Sequence, residues 1–596
     1  MCGIFGVVTD QEVELGPILI EAGRRLAYRG YDSVGCATLS ADGHIDLRKD
    51  VGKISEVSAR LRFAEMHGLR GIVQLRWATF GQPLPQNAQP HLDCDGDLVG
   101  AHNGNIVNNV QLRELFIQEG HTMRGENDGE TCVHAVERYF DAGGDMLQAI
   151  RRAYADLSGD YAFIITRRDE NRLYAIKKGS GLVAGLGEGL TCCSSDLPSI
   201  LPLTRNILRV QDGEILVLCP WGVELRRVAD GALINREPEF YAGDIDAAER
   251  GGYPHFMLKE VHEQPRLAGE LLRLLDNSAD VPPILESIRA ADPVFFVGSG
   301  TSFHASLLGA YYFNRVAGKL VLPLLPMQFI EQSGASLDAG AAALFVSQSG
   351  ETKDVLNAVK LAEAKRVRRF GVLNVLGSSL TATTERYLPL GCGYEISVPA
   401  TKTFLSQAIL FLYLAHRLAE EDMSLLARLP ELLERTIEQT DPLAECLAER
   451  LVSWNDMYYL GYGLTHPIAL EGALKLKEIT YSHCEGIFSS EFKHGPLSAV
   501  CQGYPVVFIT APDDVEMMIN HVNEVTCRQG LAIAIAEEDE RLRRNVHEYV
   551  AIPAAGQLLF PILATLPAQL VAYYMSVKRG LNPDFPRNLS KTLTVD

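Results

Sequence analysis

Three groups of residues in this chain have the types and spacing for chemistry. The first is the cysteine of Met1-Cys2-Gly3-Ile4-Phe5-Gly6-Val7-Val8. Removal of Met1 would leave Cys2 with a thiol nucleophile and a free α-amine on one carbon. Such an amine titrates at roughly 7.7–8.0, so part of it is a free base near neutral pH, and the nucleophile needs no histidine partner. A small buried residue opening a strand is the other reading of the octet, and the octet alone leaves both open. The second group is Ser347-Gln348-Ser349-Gly350-Glu351-Thr352, followed by Lys353-Asp-Val-Leu. Three hydroxyls and a glycine between an apolar run and a helix start suit an anion such as a phosphate, and Thr301-Ser302 follows a neighbouring apolar run in the same way. Simple N-capping is the competing explanation. The third group is Glu471, Lys475 and Glu478 in Ile468-Ala-Leu-Glu-Gly-Ala-Leu-Lys-Leu-Lys-Glu478. Their i, i+4, i+7 spacing puts them on one helical face. Elsewhere this would be a solvated salt-bridged stripe, but here the rest of the helix is apolar and Lys493-His494-Gly495-Pro496 follows. Acid and base groups near a phosphate site are what sugar isomerisation requires.

These groups need elements to position them. Residues 1 to about 225 carry short strand runs such as Gly71–Leu75 and Tyr161–Ile165, with many glycines and polar turns, which predict a layered α+β domain. Residues 228–262 are polar and read as a linker. An internal repeat follows. Pro293-Val-Phe-Phe-Val-Gly-Ser-Gly300 matches Asp456-Met-Tyr-Tyr-Leu-Gly-Tyr-Gly463, so that Gly298 maps to Gly461. Ala342–Ser347 matches Tyr504–Thr510, with Ser347 mapping to Thr510, again 163 residues on. Arg369–Asn374 pairs with Leu531–Ala536, and late apolar helices carry Gln407 and Gln569. Apolar strands alternating with helices predict two α/β domains with parallel sheets covered on both faces. At the place of the hydroxyl loop the second copy has Thr510-Ala-Pro-Asp513-Asp514, whose carboxylates would repel a phosphate, so the anion belongs to the first copy.

The chain has 596 residues, 47% of them hydrophobic, and a net charge of −20. The length predicts three to four domains. The charge argues against nucleic acid or anionic membrane as partner. Twelve cysteines with no CxxC pair read as free thiols of a cytoplasmic protein, with neither a disulfide framework nor a zinc site. The stretch Leu558–Val577 is apolar enough to resemble a membrane span, but Pro561, Pro567 and Gln569 interrupt it, and a buried core helix is expected.

Taken together, Cys2-Gly-Ile, Tyr28-Arg-Gly-Tyr-Asp-Ser33, Arg76-Trp-Ala-Thr79, Asn87-Ala-Gln-Pro-His91, His102-Asn-Gly104, Ser347–Thr352, Glu471–Glu478, Lys493–Pro496 and the tail Pro586-Arg-Asn-Leu-Ser-Lys591-Thr-Leu-Thr-Val-Asp596 resemble the isomerising glutamine–fructose-6-phosphate amidotransferases over nearly the whole length. The resemblance implies a class II glutaminase of the Ntn-hydrolase type, a four-layer α+β sandwich, over residues 2–225. It then implies a linker over 226–265, two SIS (sugar isomerase) domains over 266–430 and 431–585, and a catalytic tail over 586–596. It implies that Cys2 attacks the glutamine amide, that Asn103 and Gly104 hold the oxyanion, and that Arg76 and Asp128 bind the glutamine carboxylate and ammonium. Trp77 and Thr79 would belong to the loop closing over glutamine, with Trp77 gating an ammonia channel, and Arg29 would support the nucleophile. In the SIS half, Thr301, Ser302, Ser347, Gln348, Ser349 and Thr352 resemble the sugar-phosphate contacts. Glu478 matches the base acting between C1 and C2, Lys475 its assistant, His494 the ring-opening group supplied by a partner subunit, and Lys591 the Schiff-base lysine. A homodimer with L-glutamine and fructose 6-phosphate as small-molecule partners, and neither metal nor organic cofactor, is the matching expectation.

The chain departs from that pattern at four places. Phe80 stands where a histidine is common, Asn105 resembles the amidophosphoribosyltransferase branch, Ser299 replaces a frequent cysteine, and Ala400 a frequent serine close to the sugar. Phe80 and Ala400 motivate a second reading, a paralogue aminating another sugar phosphate. A catalytically silent sugar-phosphate sensor would lack the acid–base groups, yet Glu478, His494 and Lys591 are present. An amidophosphoribosyltransferase would need an acidic pyrophosphate-binding loop after a strand, which residues 290–596 do not contain.

Overall fold

The computed structural model describes residues 2–78, 80–241 and 250–591, with Tyr28 by its backbone alone. The described residues fall into two compact units, within Met1–Ala248 and Glu249–Lys591.

The first unit stacks two antiparallel sheets between helices. In the eight-stranded sheet, Gly3–Glu14 lies between His67–Arg76 and Leu190–Ser194. The seven-stranded sheet runs from His91–Leu92 through Leu98–Ile106, Gly159–Arg167, Leu173–Lys178, Glu214–Cys219 and Gly222–Arg227 to Leu233–Ile234. Alternation along the first strand shows why both faces of the sheet are covered. Ile4 and Val8 join a core shared with Ala162, Ile164 and Leu216 of the other sheet. Phe5 and Val7 pack with Leu15, Leu19 and Leu26 of the helix Leu15–Leu26, because successive side chains point to opposite faces. Helices Asn109–Gln118, Asp128–Gly143 and Met146–Asp156 cover the second sheet with Phe116, Val133, Val136 and Ile150. The order helix, sheet, sheet, helix is the four-layer sandwich.

Strand pairing continues into the stretch that reads as a linker. Leu233–Ile234 pairs with Leu225 and Arg226, and Glu239–Phe240 pairs with Asn206 and Ile207. Edge strands are held mainly by backbone hydrogen bonds, so polar sequence can extend a sheet. The helix Phe256–Asp276 then opens the second unit.

The second unit contains two five-stranded parallel sheets of identical topology. One orders Leu322–Leu324, Val294–Gly298, Ala342–Ser347, Arg368–Leu373 and Arg386–Pro389. The other orders His483–Phe488, Asp456–Gly461, Pro505–Thr510, Leu531–Glu537 and Glu548–Ile552. Gly298 and Gly461 end equivalent strands, as do Ser347 and Thr510. The repeat helices Lys402–Ala419 and Phe560–Lys578 lie in one shared hydrophobic core. Phe560–Lys578 is long and apolar enough to cross a membrane by composition, but 89% of its most apolar window is buried inside the protein.

Candidate active sites in the two units

Cys2 immediately precedes the central strand of the first unit and is 5% exposed. The Trp77 backbone N–H donates to its Sγ at 3.3 Å, and Arg29 Nε donates to the Cys2 carbonyl at 3.2 Å. Burial pushes the Cys2 thiol above its ordinary range, while the nearby Asp128 and Arg76 act on it in opposite directions. A buried thiol of this kind is a weak nucleophile without an adjacent base.

Arg76 ends the strand beside Cys2 and is wholly buried. Its guanidinium donates to the carbonyls of Phe80, Gly81 (2.7 Å) and Gln82 (3.2 Å), while its Nε makes no hydrogen bond. The arginine therefore anchors the loop that follows it. Trp77 in that loop meets Tyr31 edge to face at 5.8 Å, and the Ala78 N–H donates to Asp32 at 2.8 Å. Thr79 lies outside the described residues.

Asn103 and Gly104 sit on the strand Leu98–Ile106 opposite Ala162 and Tyr161. Both polar atoms of the Asn103 amide are buried without a hydrogen-bond partner, an expensive state for an amide that faces no ligand. Gly104 has φ +104°, and a Cβ there would lie 2.0 Å from the Asp160 carbonyl oxygen, so only glycine fits. Asp128 opens the helix Asp128–Gly143, capped by Asn127. It is fully buried and accepts from the Ile106 N–H at 3.0 Å and from His102 Nε2 at 3.1 Å. A nucleophile, an unpaired amide, a buried carboxylate and a buried guanidinium are the parts a site for an amino acid amide needs.

In the second unit the hydroxyl loop leaves the strand Ala342–Ser347 and enters the helix Lys353–Ala364. Ser347 Oγ accepts from the Gly350 N–H at 3.1 Å and meets Thr352 Oγ1 at 2.9 Å. Ser349 Oγ accepts from the Glu351 N–H at 3.2 Å, and Glu351 is held at 2.7 Å by both the N–H and the hydroxyl of Ser379. Gln348 anchors the loop through its carbonyl, which accepts from Asn374 and Val375, and its Oε1 is buried without a partner. Thr301 and Ser302 open the helix after the neighbouring parallel strand. The Ser302 hydroxyl accepts from Gln407 at 3.1 Å, and the Thr301 hydroxyl donates to Glu471 at 3.1 Å.

That last bond leads into a buried charge network. Glu471 and Lys475 are each 1% exposed at the side chain, 3.5 Å apart, and Lys475 Nζ is 2.7 Å from Glu478. His304 Nδ1 is 2.8 Å from Glu471. The stripe is thus turned inward. Lys591 Nζ donates to Glu395 at 2.5 Å and to the Ser397 carbonyl at 2.8 Å. Burial pushes Glu395 up, but the Lys591 charge and hydrogen bond, with further bonds from Thr403, outweigh it and hold the carboxyl below its usual range. Glu395 in turn acts on Lys475, whose ammonium is stabilised against burial by Glu478 and Glu471. Lys475, Glu478, Glu395 and Lys591 therefore form one electrostatic group from three separate parts of the chain. His494 is different. It is exposed at the end of the turn Ser489–His494, and no hydrogen bond or ion pair among the described residues engages it.

Family models match this sequence as SIS domains over residues 287–417 and 450–579, and as a glutamine amidotransferase domain over 75–184. The glutamine–fructose-6-phosphate aminotransferase (isomerising) of Methanothermobacter thermautotrophicus is 40% identical over all of both chains, and that of Aquifex aeolicus 38% identical, again over all of both. The chain belongs to the glutamine–fructose-6-phosphate aminotransferase (isomerising) family. Among solved structures, the C-terminal domain of the glucosamine–fructose-6-phosphate aminotransferase of Francisella tularensis resembles 57% of this chain and all of its own, at 28% identity and a TM-score of 0.51.

Glu395 and Glu260 are buried carboxylates near Lys591 that motif reading missed. Glu395 accepts from the backbone of Thr401 and Thr403, so it also shapes the chain around Ala400. Glu260 lies in the helix Phe256–Asp276 and accepts from the N–H groups of Ile396 (2.5 Å) and Ser397 (3.1 Å). Burial and the adjacent Glu395 carboxylate push Glu260 up to about 7. A lone glutamate between a glycine-rich turn and Pro399 carries no spacing signal. The burial of its polar neighbourhood is visible only after folding.

Proposed function

We propose that the chain moves the amide nitrogen of L-glutamine onto D-fructose 6-phosphate, yielding D-glucosamine 6-phosphate and L-glutamate. The observation that carries this reading is the largely buried group Lys591–Glu395–Lys475–Glu478, linked through Glu471 and Thr301 to the sheet that bears the hydroxyl loop. Burying Lys475, Glu395 and most of Lys591, with Glu478 partly buried beside them, costs several kcal/mol per ion unless each is paired, and acid–base chemistry on a small polar substrate is a use that justifies it.

In the glutaminase half, the α-amine exposed by removal of Met1 takes the Cys2 proton as sulfur attacks the amide carbon. The Asn103 amide and the Gly104 N–H stabilise the oxyanion, which such donors do best when aimed in advance. The proton then leaves with ammonia, and water releases glutamate from the thioester. Arg76, Trp77, Thr79 and Asp128 bind glutamine. In the isomerase half, Ser347, Gln348, Ser349 and Thr352, with Thr301 and Ser302, hold the phosphate at the end of a parallel strand, where such sheets bind ligands. Lys591 engages the keto carbon, Glu478 moves the proton between C1 and C2, and Lys475 supports it. The solvent exposure of His494 fits its delivery to a second copy, so the working unit is at least a homodimer. Twelve cysteines without a disulfide suit a cytoplasmic protein.

The test is product identification. Glutamine labelled at the amide nitrogen, incubated with fructose 6-phosphate, is expected to give labelled glucosamine 6-phosphate. Label appearing only in free ammonia, with or without other sugar phosphates present, would defeat the proposal. Label in a different amino sugar would establish the paralogue reading that Ala400 suggests.

A further inference from the structure

Four side chains with metal-binding atoms meet in the first unit, outside the residues assigned to glutamine. Cys94 lies in the turn between the strands His91–Leu92 and Leu98–Ile106, and His121 follows the helix Asn109–Gln118. His134 and Glu137 stand at i, i+3 on the helix Asp128–Gly143. One ligand atom from each of the four lies within 4.8 Å of all the others. Cys94 Sγ is 3.6 Å from His121 Nδ1 and 3.9 Å from His134 Nδ1. Glu137 Oε2 is 2.6 Å from both ring nitrogens. The other carboxylate oxygen accepts from the Cys94 N–H at 2.7 Å, which leaves Oε2 as the atom facing the centre. The imidazoles meet edge to face at 5.4 Å, so both Nδ1 atoms turn inward without the rings competing for one volume.

A tetrahedral zinc with bonds of about 2.0–2.3 Å places its ligand atoms roughly 3.3–3.8 Å apart. Of the sulfur–nitrogen separations, 3.6 Å lies within this range and 3.9 Å just beyond it. The carboxylate oxygen would need to retreat by about 0.7 Å from each nitrogen, a small torsion of the Glu137 side chain. The charge also closes. A thiolate and a carboxylate with two neutral imidazoles balance a divalent cation, which favours occupancy where His134 is 0% and Glu137 3% exposed. Thiolate and imidazole together select zinc over magnesium or calcium, and four protein ligands leave no position open for substrate.

We propose that Cys94, His121, His134 and Glu137 form a structural zinc site. The ion would tie the turn before the Asn103–Gly104 strand to the segment that runs into Asp128. The Arg124 guanidinium already donates to the carbonyls of Leu92, Asp93 (2.7 Å) and Cys94, and Glu130 accepts from the N–H groups of Arg124 and Gly125. The metal would lock these same segments together, as a positioning element for the glutaminase site.

The test uses the full chain without a metal-binding tag, produced with zinc in the medium and dialysed against metal-free buffer. Elemental analysis by plasma mass spectrometry is expected to find about one zinc per chain in the wild type and in Cys501→Ser, which removes an exposed thiol elsewhere. Cys94→Ser and His134→Gln are expected to hold less than about a tenth of that. Cobalt-substituted wild type should show tetrahedral d–d bands and a thiolate charge-transfer band, the latter lost in Cys94→Ser. A wild type that contains no metal and takes up none on titration with zinc overturns the proposal and leaves a hydrogen-bonded cluster around Glu137. Wild-type zinc content in Cys94→Ser overturns it equally.

Discussion

Replacing Gly350 by alanine tests the phosphate loop at its tightest point. Gly350 has φ +67°, and a Cβ there would stand 2.0 Å from Ser378 Oγ and 2.7 Å from Ser378 Cβ. A left-handed backbone costs a non-glycine residue about 1–2 kcal/mol, and overpacking a close-fitted position adds about 1–3 kcal/mol. The loop can hold its shape, in which case about 2–5 kcal/mol appears as lost stability of the unit. Alternatively it shifts, carrying Ser347, Ser349 and Thr352 off the phosphate. At 1.4 kcal/mol per tenfold, the same energy expressed in binding raises the KM for fructose 6-phosphate by roughly 30-fold to several thousand-fold. The assay is glucosamine 6-phosphate formation against fructose 6-phosphate concentration, together with thermal unfolding. Glutamine hydrolysis measured without sugar reports the other unit and should stay at the wild-type rate. Gly350→Ala combined with Ser378→Gly removes both clashing atoms. Ser378 Oγ makes no hydrogen bond, so its loss unpairs nothing, and only the backbone cost should remain. The double variant is expected to recover about one to two powers of ten in KM. An unchanged KM and unfolding temperature in the single variant would refute the reasoning, as would a double variant no better than the single.

Three further outcomes are expected. Cys2→Ala should abolish glutamine-dependent synthesis while sugar-phosphate isomerisation continues; surviving glutamine hydrolysis in this variant would remove Cys2 from the mechanism. Glu395→Gln leaves the largely buried Lys591 ammonium without its carboxylate counter-charge, facing only neutral oxygens there. Breaking a buried pair costs about 3–5 kcal/mol, so amino-sugar formation should fall more than about a hundredfold with glutamine hydrolysis intact, and a wild-type synthesis rate would contradict the pairing. Glu260 is pushed up to about 7 from an unfolded value of 4.5, first by burial and then by Glu395. The folded state then holds more protons than the unfolded one, so this group removes stability as pH rises from 4.5 to about 7. Glu260→Gln cannot ionise, and its unfolding temperature relative to wild type should climb across that window, by up to about 3 kcal/mol in stability; a difference that stays flat with pH would count against the burial argument.

Much of the candidate site could be proposed before folding because its residues come in short runs with a local mechanism. The loop 347–352 announces itself by hydroxyls between an apolar strand and a helix, and the helix of Glu471, Lys475 and Glu478 by a charged face on an apolar element. The 163-residue offset foretold the twin sheets, since repeated strands must bury repeated faces. Glu260 and Glu395 were not legible, because a single carboxylate has no periodicity and its meaning comes from charges such as Lys591, distant in sequence. The region after residue 225 misled for a related reason. Edge strands such as Glu239–Phe240 are held by backbone partners, which composition does not encode.

Residue order alone therefore pointed to the family, to Cys2 as the candidate nucleophile, to the hydroxyl loop and to the twin sheets, since each depends on neighbours a few positions apart. Only the tertiary structure decided that the Glu471–Glu478 face points inward, that Lys591 rests on Glu395, and that Cys94, His121, His134 and Glu137 converge. Those contacts join side chains tens to nearly two hundred residues apart. Their energies come from shared burial and charge, which exist only once the chain has closed around them.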